Sequence, residues 1–385
     1  MDKTYFDTLK KEDCNGCGAC SLVCPVNAIT MVEDEEGFLY PKINEDRCIK
    51  CNKCRKVCSN FPKENEYNIK VYATKNKDKE QRDNSTSGGM FKILSKYVLE
   101  KKGVVFGVKL NKDLVAVHDY GETEEECKKF SFSKYVRSDL NGSYEKIKEF
   151  LNNDRYVLFT GTPCQVQGLR NFLGKDNDKL ILCEIICHAN PSPKVLKTYL
   201  KAQEKIENKK IKNIYFRSKN KEMDNMAYIE FEDGTKKKIE EYITAFSGNQ
   251  LINRPSCYNC KFVNENRKAD FTIGDLWGIE KILPEFNDNK GISLLTVNSK
   301  KAESIFKEIE NMLEYKEVDL YQAFEYNHHT NLRKNKNRDY FFEKLAEGTI
   351  NQNNIIDYIK KYTKTPLYKK ILRKAKRIFK KIIKI

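Results

Sequence analysis

The sequence predicts a chain in three parts: a small cysteine-rich α+β module, a larger α/β domain and a C-terminal amphipathic helix. Three observations predict this. A cysteine rhythm is written twice between Cys14 and Cys58. Beyond it, short apolar runs of strand type alternate with segments of helical period, separated by small or polar loops. The last nineteen residues, LYKKILRKAKRIFKKIIKI, place apolar side chains at three- and four-residue steps and fill the remaining positions almost entirely with Lys and Arg. The expected boundaries are 1–62 for the module, 63–84 for a linker, 85–345 for the large domain, 346–366 for a helical connector and 367–385 for the basic helix.

The module comes first. Cys14, Cys17, Cys20 and Cys24 have partners at the same offset in Cys48, Cys51, Cys54 and Cys58, each set reading C-x2-C-x2-C-x3-C. Three thiols at that spacing wrap one corner of a [4Fe–4S] cube, and the fourth reaches the other cube. The expected sets are therefore Cys14, Cys17, Cys20 and Cys58 on one cluster, and Cys48, Cys51, Cys54 and Cys24 on the second. Zinc sites favour paired C-x2-C units without a third cysteine at the next step. Gly16, Gly18 and Ala19 leave room for backbone N–H groups to approach sulfur. Pro25 follows Cys24, whereas Ser59 follows Cys58. Between the halves, AITMVEDEEGFLYPKI reads as strand, turn, strand. The module resembles a two-cluster bacterial ferredoxin.

Residues 64–84 are charged, with one short strand, VYAT, and suit a linker entering a new domain. Ser85, Thr86, Ser87, Gly88 and Gly89 then form a small polar loop. It opens a helix marked by Phe91, Leu94 and Val98, and Val104–Val108 follow as a strand. Such a helix start suits phosphate, although an ordinary N-cap is the commoner use of Ser and Thr. Arg155–Phe159 read as a buried strand, GTP as a turn and Gln165–Leu173 as a helix, which puts Cys164 at a helix N-terminus. LILCEIIC is a further strand ending at Cys187-His188. Cys257 and Cys260 form a C-x2-C pair ahead of the strand DFTIGD and the single tryptophan, Trp277. Cys164, Cys187, Cys257 and Cys260 thus fall at strand ends or in loops, where functional groups gather in α/β folds. They suit a third cluster, a zinc site or small buried hydrophobes. Cys127 and Cys183 read as structural. Lys134, Tyr135 and Arg137 suit either an anionic substrate or, more commonly for charged residues, a solvated edge.

NSTSGGMF, FSKYVRSDL, VLFTGTPCQVQGL, CHANPSPKVLKTYL and RPSCYNCKFVNENRKADFTIGDLWGI, in that order, resemble the family of coenzyme F420 hydrogenase/dehydrogenase β-subunits. The likeness runs from about Tyr72 to Ile279, with a weaker tail to about 345. It implies a flavin-binding α/β domain that holds FAD and its own [4Fe–4S] cluster. Ser85, Thr86, Ser87, Gly88, Gly89, Thr160, Gly161, Thr162, Pro163 and Gln165 map onto its flavin-contact regions. Cys164, Cys187, Cys257 and Cys260 map onto its cluster ligands. No residue uniquely demands a deazaflavin.

Composition limits the setting. MDKTYFDTLKKEDC has no apolar signal core, so the 14 cysteines are expected in a reducing cytosol, as metal ligands or reactive groups. Mean hydropathy is −0.70, and 21 Phe and 21 Tyr supply apolar surface for a core. No stretch reaches transmembrane length. Most of the +16 net charge lies in the last nineteen residues, which hold nine Lys or Arg and no acid. That concentration argues against nucleic acid as the partner and for a helix lying on an anionic membrane surface, peripheral on the inner face.

The expected function is that of an iron–sulfur flavoprotein oxidoreductase. Electrons would pass from a redox partner protein or reduced ferredoxin through the clusters to FAD and a small-molecule substrate or deazaflavin-like cofactor, with a lipid-linked substrate of surface polysaccharide synthesis as one setting. The alternative is a non-catalytic electron-transfer subunit that delivers electrons to a partner enzyme.

Overall fold

The computed structural model describes residues 9–61, 67–219, 221–327 and 330–364. The N-terminal module is built around an antiparallel hairpin, β1 (Ile29–Glu33) and β2 (Leu39–Ile43), as the strand–turn–strand pattern predicts. Two one-turn helices, Ala19–Leu22 and Lys53–Lys56, carry the middle of each cysteine set. Each follows a residue in the left-handed region, Gly18 at φ 72° and Asn52 at φ 57°. The duplication written in the sequence is thus also a duplication of backbone.

The body contains β3 (Lys70–Asn76), β4 (Val104–Leu110), β5 (Ala116–Gly121), β6 (Val157–Gly161), β7 (Leu180–Ile185), β8 (Ile211–Tyr215), β9 (Tyr228–Phe231), β10 (Lys236–Lys238), β11 (Phe271–Asp275), β12 (Ser293–Val297) and β13 (Leu313–Glu317). Eight of these form one sheet in the order β13-β3-β12-β11-β7-β6-β4-β5. Its centre, β11-β7-β6-β4, is parallel. β5 is antiparallel at one edge, and β12, β3 and β13 extend the other edge with antiparallel neighbours. β3 lies within the stretch expected as a linker, yet it is an interior strand whose residues from Val71 to Asn76 are all buried. The charged letters around VYAT hid this, because the strand gains its apolar contacts from distant β12 and β13.

The parallel strands are covered on both faces, as crossover helices require. Leu158 and Ile181 pack with Ile93, Leu94 and Val98 of the helix Met90–Glu100 and with Phe306 on one face. Val157, Phe159 and Leu182 pack with Val166 and Leu169 of the helix Pro163–Leu173 on the other. Cys17 and Ala19 belong to this second cluster, so the cysteine module is seated against the sheet layer itself. A smaller antiparallel sheet, β10-β9-β8, packs with the helices Pro193–Glu207, Arg338–Ala346 and Ile355–Thr363 around a further core that includes Phe38. Glu36, in the β1–β2 turn, forms a buried ion pair with Arg338 and fixes the hairpin to that unit. The expected helical connector therefore contains a packed helix, with Ile355, Ile356 and Ile359 buried.

Among the described residues, no helix is long and apolar enough to cross a membrane. The basic amphipathic helix expected at 367–385 lies outside the described residues.

Candidate metal centres

The carboxyl ends of β6 and β7 build a cavity. After Gly161 the chain turns through Thr162 and enters the helix Pro163–Leu173. Proline stands at its first position, and Thr162 and Gln165 form a reciprocal capping box. This puts Cys164 in the first turn. Cys187 follows β7 by two residues. Cys257 and Cys260 lie on and after the short 3-10 turn Pro255–Asn259. Cys164, Cys187, Cys257 and Cys260 line one cavity, together with Asn15 of the cysteine module and Arg267. The fold thus brings together all four thiols singled out in this domain. Cys127 and Cys183 are buried in the apolar core instead, as expected.

Donors surround the sulfurs. The Asn190 amide donates to Cys257 Sγ at 3.3 Å and the Phe262 amide to Cys260 Sγ at 3.4 Å. Arg137 Nη1 donates to Cys164 Sγ at 3.6 Å. Without metal, burial raises the pKa values of Cys187, Cys257 and Cys260, the last to about 12, and the neighbouring thiols add to it. Metal coordination reverses that preference by holding the thiolate. Among the described residues, no three His, Cys, Asp or Glu side chains converge on one ion position. A single zinc would draw its sulfurs to about 2.3 Å from one point. Four thiols around a shared cavity suit a cube, in which each meets a different iron.

The module's own cysteines divide into two groups. Cys20 lies beside Cys17, Cys14 and Cys58, with Cys54 further off, and burial raises its pKa. Cys54 lies beside Cys51 and Cys48. The Ala28 amide donates to Cys24 Sγ at 3.2 Å and the Lys50 amide to Cys48 Sγ at 3.4 Å. Cys14 and Cys17 are buried, whereas Cys51 is exposed. Gly168, on the helix behind Cys164, allows the close approach: a Cβ there would stand 3.0 Å from Cys17 Sγ.

Two arginines join this module to the cavity, and nothing in the sequence signalled their burial. Arg137 donates to Gly16 O at 2.9 Å as well as to Cys164 Sγ, and so bridges the two sites. The expected solvated edge is corrected at this residue, which is only 8% exposed. Lys134 donates to Ser131 O at 2.6 Å, and burial holds its ammonium down at about 7. Tyr135 packs between the rings of Phe216 and Phe246. Arg254 is 1% exposed, stacks on Tyr40, and donates to Cys14 O at 2.8 Å, Leu39 O at 3.0 Å and Cys14 Sγ at 3.6 Å. Among the described residues, neither Arg137 nor Arg254 meets a carboxylate. A buried cation without counter-charge is strongly unfavourable. Thiolate-bound iron–sulfur cubes, which carry net negative charge, would supply it on both sides. The third guanidinium, Arg267, is paired with buried Glu184 at 3.5 Å.

Ser59 explains the missing proline after Cys58. It is buried, and its Oγ accepts from Asn15 Nδ2 at 3.2 Å. Asn15 in turn lines the four-cysteine cavity.

The expected flavin contacts lie at the same sheet edge, in two places. Ser85–Gly89 sit against the start of β12, and the Thr160–Gln165 turn lies beyond β6, about 14 Å away across three strand spacings. The side chains of Ser85, Ser87, Thr160, Thr162 and Gln165 are engaged within the protein. Ser85 Oγ donates to Gln81 O, Ser87 Oγ to Ile292 O and Thr160 Oγ1 to Phe106 O. Gln165 closes the capping box and donates to Ser138 Oγ. Gly88 is packed so tightly that a Cβ would meet Thr74 O at 2.4 Å. Pro163 lines the cysteine cavity.

The parallel sheet, its cavity at the strands' carboxyl ends and the doubled cysteine motif define an α/β protein of the iron–sulfur class. Residues 154–321 match the family described as the C terminus of the coenzyme F420 hydrogenase/dehydrogenase beta subunit, and residues 13–60 match the 4Fe-4S dicluster domain. The chain thus carries a region similar to the C terminus of coenzyme F420 hydrogenase/dehydrogenase β-subunits, preceded by an N-terminal 4Fe-4S dicluster domain. An F(420)H(2) dehydrogenase subunit of Methanosarcina mazei is 24% identical over 197 residues, 47% of this chain and 55% of that protein. The chain thus spans about half the length of that curated relative. The F420-reducing [NiFe] hydrogenase complex from Methanosarcina barkeri contains a chain 18% identical, with a TM-score of 0.46, covering 76% of this chain and 93% of that one.

Proposed function

We propose that this chain is an electron-transfer subunit of the oxidoreductase class. Three [4Fe–4S] clusters would pass single electrons between its surface and a redox partner protein. Cys14, Cys17, Cys20 and Cys58 would hold the inner cluster of the module, and Cys48, Cys51, Cys54 and Cys24 the outer one. Cys164, Cys187, Cys257 and Cys260 would hold the third. The observation that carries this reading is the shared wall between module and cavity. Arg137 touches both Cys164 and the Gly16 carbonyl, and Asn15 lines the cavity while bonding to the residue after Cys58. Cavity and inner group thus meet through direct contacts, and the helices Ala19–Leu22 and Lys53–Lys56 that carry Cys20 and Cys54 lie against each other, an order that suits a relay. Bound there, the clusters supply one-electron chemistry. The chain's own residues cage them, donate N–H groups to sulfur and place buried cations beside them.

The flavin-enzyme reading has less support, because Ser85, Ser87, Thr160, Thr162 and Gln165, expected to meet FAD, have side chains engaged within the protein. No step of the relay requires a flavin. The relatives' names point to hydrogenase and dehydrogenase assemblies, which agrees with a subunit that serves a partner.

Anaerobic purification of the full chain with iron and sulfide quantitation tests the relay. About twelve irons per chain are expected from three cubes, falling to about eight in Cys187→Ser and Cys257→Ser with the module's signals retained. Unchanged iron in both variants would overturn the third site.

A further inference from the structure

We infer that the outer half of the dicluster domain is the docking face for a small acidic one-electron carrier protein. The inference rests on the relay reading and names where its electrons enter. From Arg47 to Lys56 the chain holds five cations, Arg47, Lys50, Lys53, Arg55 and Lys56, and no acid. All five are exposed, and among the described residues none of them forms an ion pair. Some other surface cations, such as Lys11, Lys109 and Lys344, meet carboxylates, and others, such as Lys112 and Lys197, are exposed without one among the described residues; what sets this stretch apart is five such cations within ten residues. A collar of one sign with no carboxylate partner projects its charge into solvent, where it can meet a partner of opposite sign. It surrounds Cys51, the one exposed cysteine of the described chain. Beside it stand two exposed apolar side chains, Ile49 at 61% and Phe61 at 51%.

This combination suits a transient redox encounter. Such interfaces are small, below about 1,200 Å², so a charged rim must steer and orient the partner while a few apolar contacts seat it. The equivalent stretch of the inner half, Asp13–Leu22, contains no cation and one acid, Asp13, and is seated against the body through Cys17 and Ala19. Within the module a carrier therefore comes nearest to a cluster at the outer end. One electron leaves the reduced carrier and enters the outer cluster; no bond forms or breaks and no proton is required. An acidic surface is the complement of the collar, and close approach at Cys51 explains why the collar surrounds a cluster ligand. A polyanion such as nucleic acid would need the charges but not the thiol or the two apolar side chains.

The test uses the full-length, anaerobically purified holoprotein and an acidic two-[4Fe–4S] ferredoxin. Stopped-flow reduction by the reduced ferredoxin should slow about tenfold or more as salt rises from low to several hundred millimolar, the behaviour of charge-steered association. The Arg47→Glu/Lys53→Glu/Lys56→Glu variant should slow it at low salt by a similar factor, with a parallel rise in the Kd for oxidised ferredoxin. Reduction by the methyl viologen radical cation should not slow, and iron content should be unchanged. If the triple variant loses iron, Lys56→Glu and the salt dependence of the native protein decide. An iron-replete variant that accepts electrons from ferredoxin at the native rate would overturn the docking face. So would a salt-independent native rate, or tighter binding of single-stranded DNA than of ferredoxin. A native protein lacking iron would instead sink the relay reading beneath it.

Discussion

The two halves of the dicluster domain share one cysteine spacing and one backbone path but occupy opposite surroundings. In each half, the second residue after the first cysteine and the first residue after the second cysteine adopt positive φ. In the inner half these are Gly16 at φ 65° and Gly18 at φ 72°; in the outer half they are Lys50 at φ 52° and Asn52 at φ 57°. The inner half is uncharged from Cys14 to Cys24, touches the sheet core through Cys17 and Ala19, and receives Arg137 and Arg254 on its backbone carbonyls. The outer half carries five exposed cations. What repeats is the demand of ligand geometry. What differs is set by the neighbour: packed protein on one side, solvent on the other.

The strongest way to break this comparison is to remove the cation that holds the inner half. Arg254→Met keeps much of the length and the contact with Tyr40 but leaves the Cys14 and Leu39 carbonyls without their donor. It also removes the buried positive charge beside Cys14. Loss of about 3–5 kcal/mol is expected, the range for disrupting a buried charged network. Denaturant unfolding of the holoprotein checks it. Where the protein still folds, the inner cluster's reduction potential should fall and the outer one's should hold, read by EPR-monitored titration, because a nearby cation favours the more negative reduced state. Equal shifts at both clusters would erase the distinction between the halves.

Acid should act on the body that supports the inner half. His118 is fully buried, stacks on Phe159 and places Nε2 3.2 Å from Thr160 O. Burial pushes its pKa down from 6.5 to about 4. The unfolded chain therefore binds a proton below pH 6.5 that the folded chain refuses until about pH 4. Stability falls as pH drops through that window, by roughly 3 kcal/mol in all, and the term is constant on either side. His118→Asn should flatten the urea midpoint between pH 6.5 and 4, after subtraction of the carboxylate contribution common to both proteins. An unchanged slope would mean that another group governs acid sensitivity.

The cysteine pattern made the module legible in the sequence, and the residues between its halves made the hairpin legible; the one-turn helices at Ala19–Leu22 and Lys53–Lys56 were not, because four residues are too few to show a helical period. The strands at Val157 and Leu180 were legible as continuous apolar runs, the signature of a covered parallel sheet. Arg137 and Arg254 were not. Charged residues are ordinarily exposed, and only the approach of Gly16 and Cys14 from more than a hundred residues away makes these two interior. The four cavity cysteines were visible as a group, since each stands at a strand end or in a loop, but no spacing rule showed that they face one another. Ser85–Gly89 and Thr160–Gln165 looked like ligand loops because Ser, Thr and Gly serve equally well in caps and tight packing. Only their hydrogen-bond partners distinguish the two uses.

Glycine substitution sharpens the comparison at a smaller scale. At Gly16 a Cβ would lie 2.9 Å from Arg254 Nη1 and 3.0 Å from Leu39 O, in addition to the left-handed strain. Gly16→Ala should cost about 2 kcal/mol and lower the occupancy of the inner cluster. Lys50→Gly, at the matching position, loses strain in the folded state and gains freedom in the unfolded one, for a net change within about 0.5 kcal/mol. Iron content and unfolding midpoints of the two variants check the asymmetry. Comparable losses in both would show that ligand geometry alone, and not burial, demands glycine.

The smallest effect is expected at the other matched pair, and it separates surroundings from ancestry. Gly18 is also a left-handed residue of the inner half, but a Cβ there would come no nearer than 4.0 Å to its closest neighbour, Leu140. Space for a side chain therefore exists, and Asn tolerates positive φ better than other residues with a Cβ. Exchanging the two, Gly18→Asn with Asn52→Gly, should leave the unfolding midpoint within about 0.5 kcal/mol of the native protein and both module clusters intact by EPR. If the exchange is instead as damaging as Gly16→Ala, close packing at Gly16 is not what fixes glycine in the inner half. The backbone N–H groups around the inner cluster would then tolerate less displacement than those around the outer one.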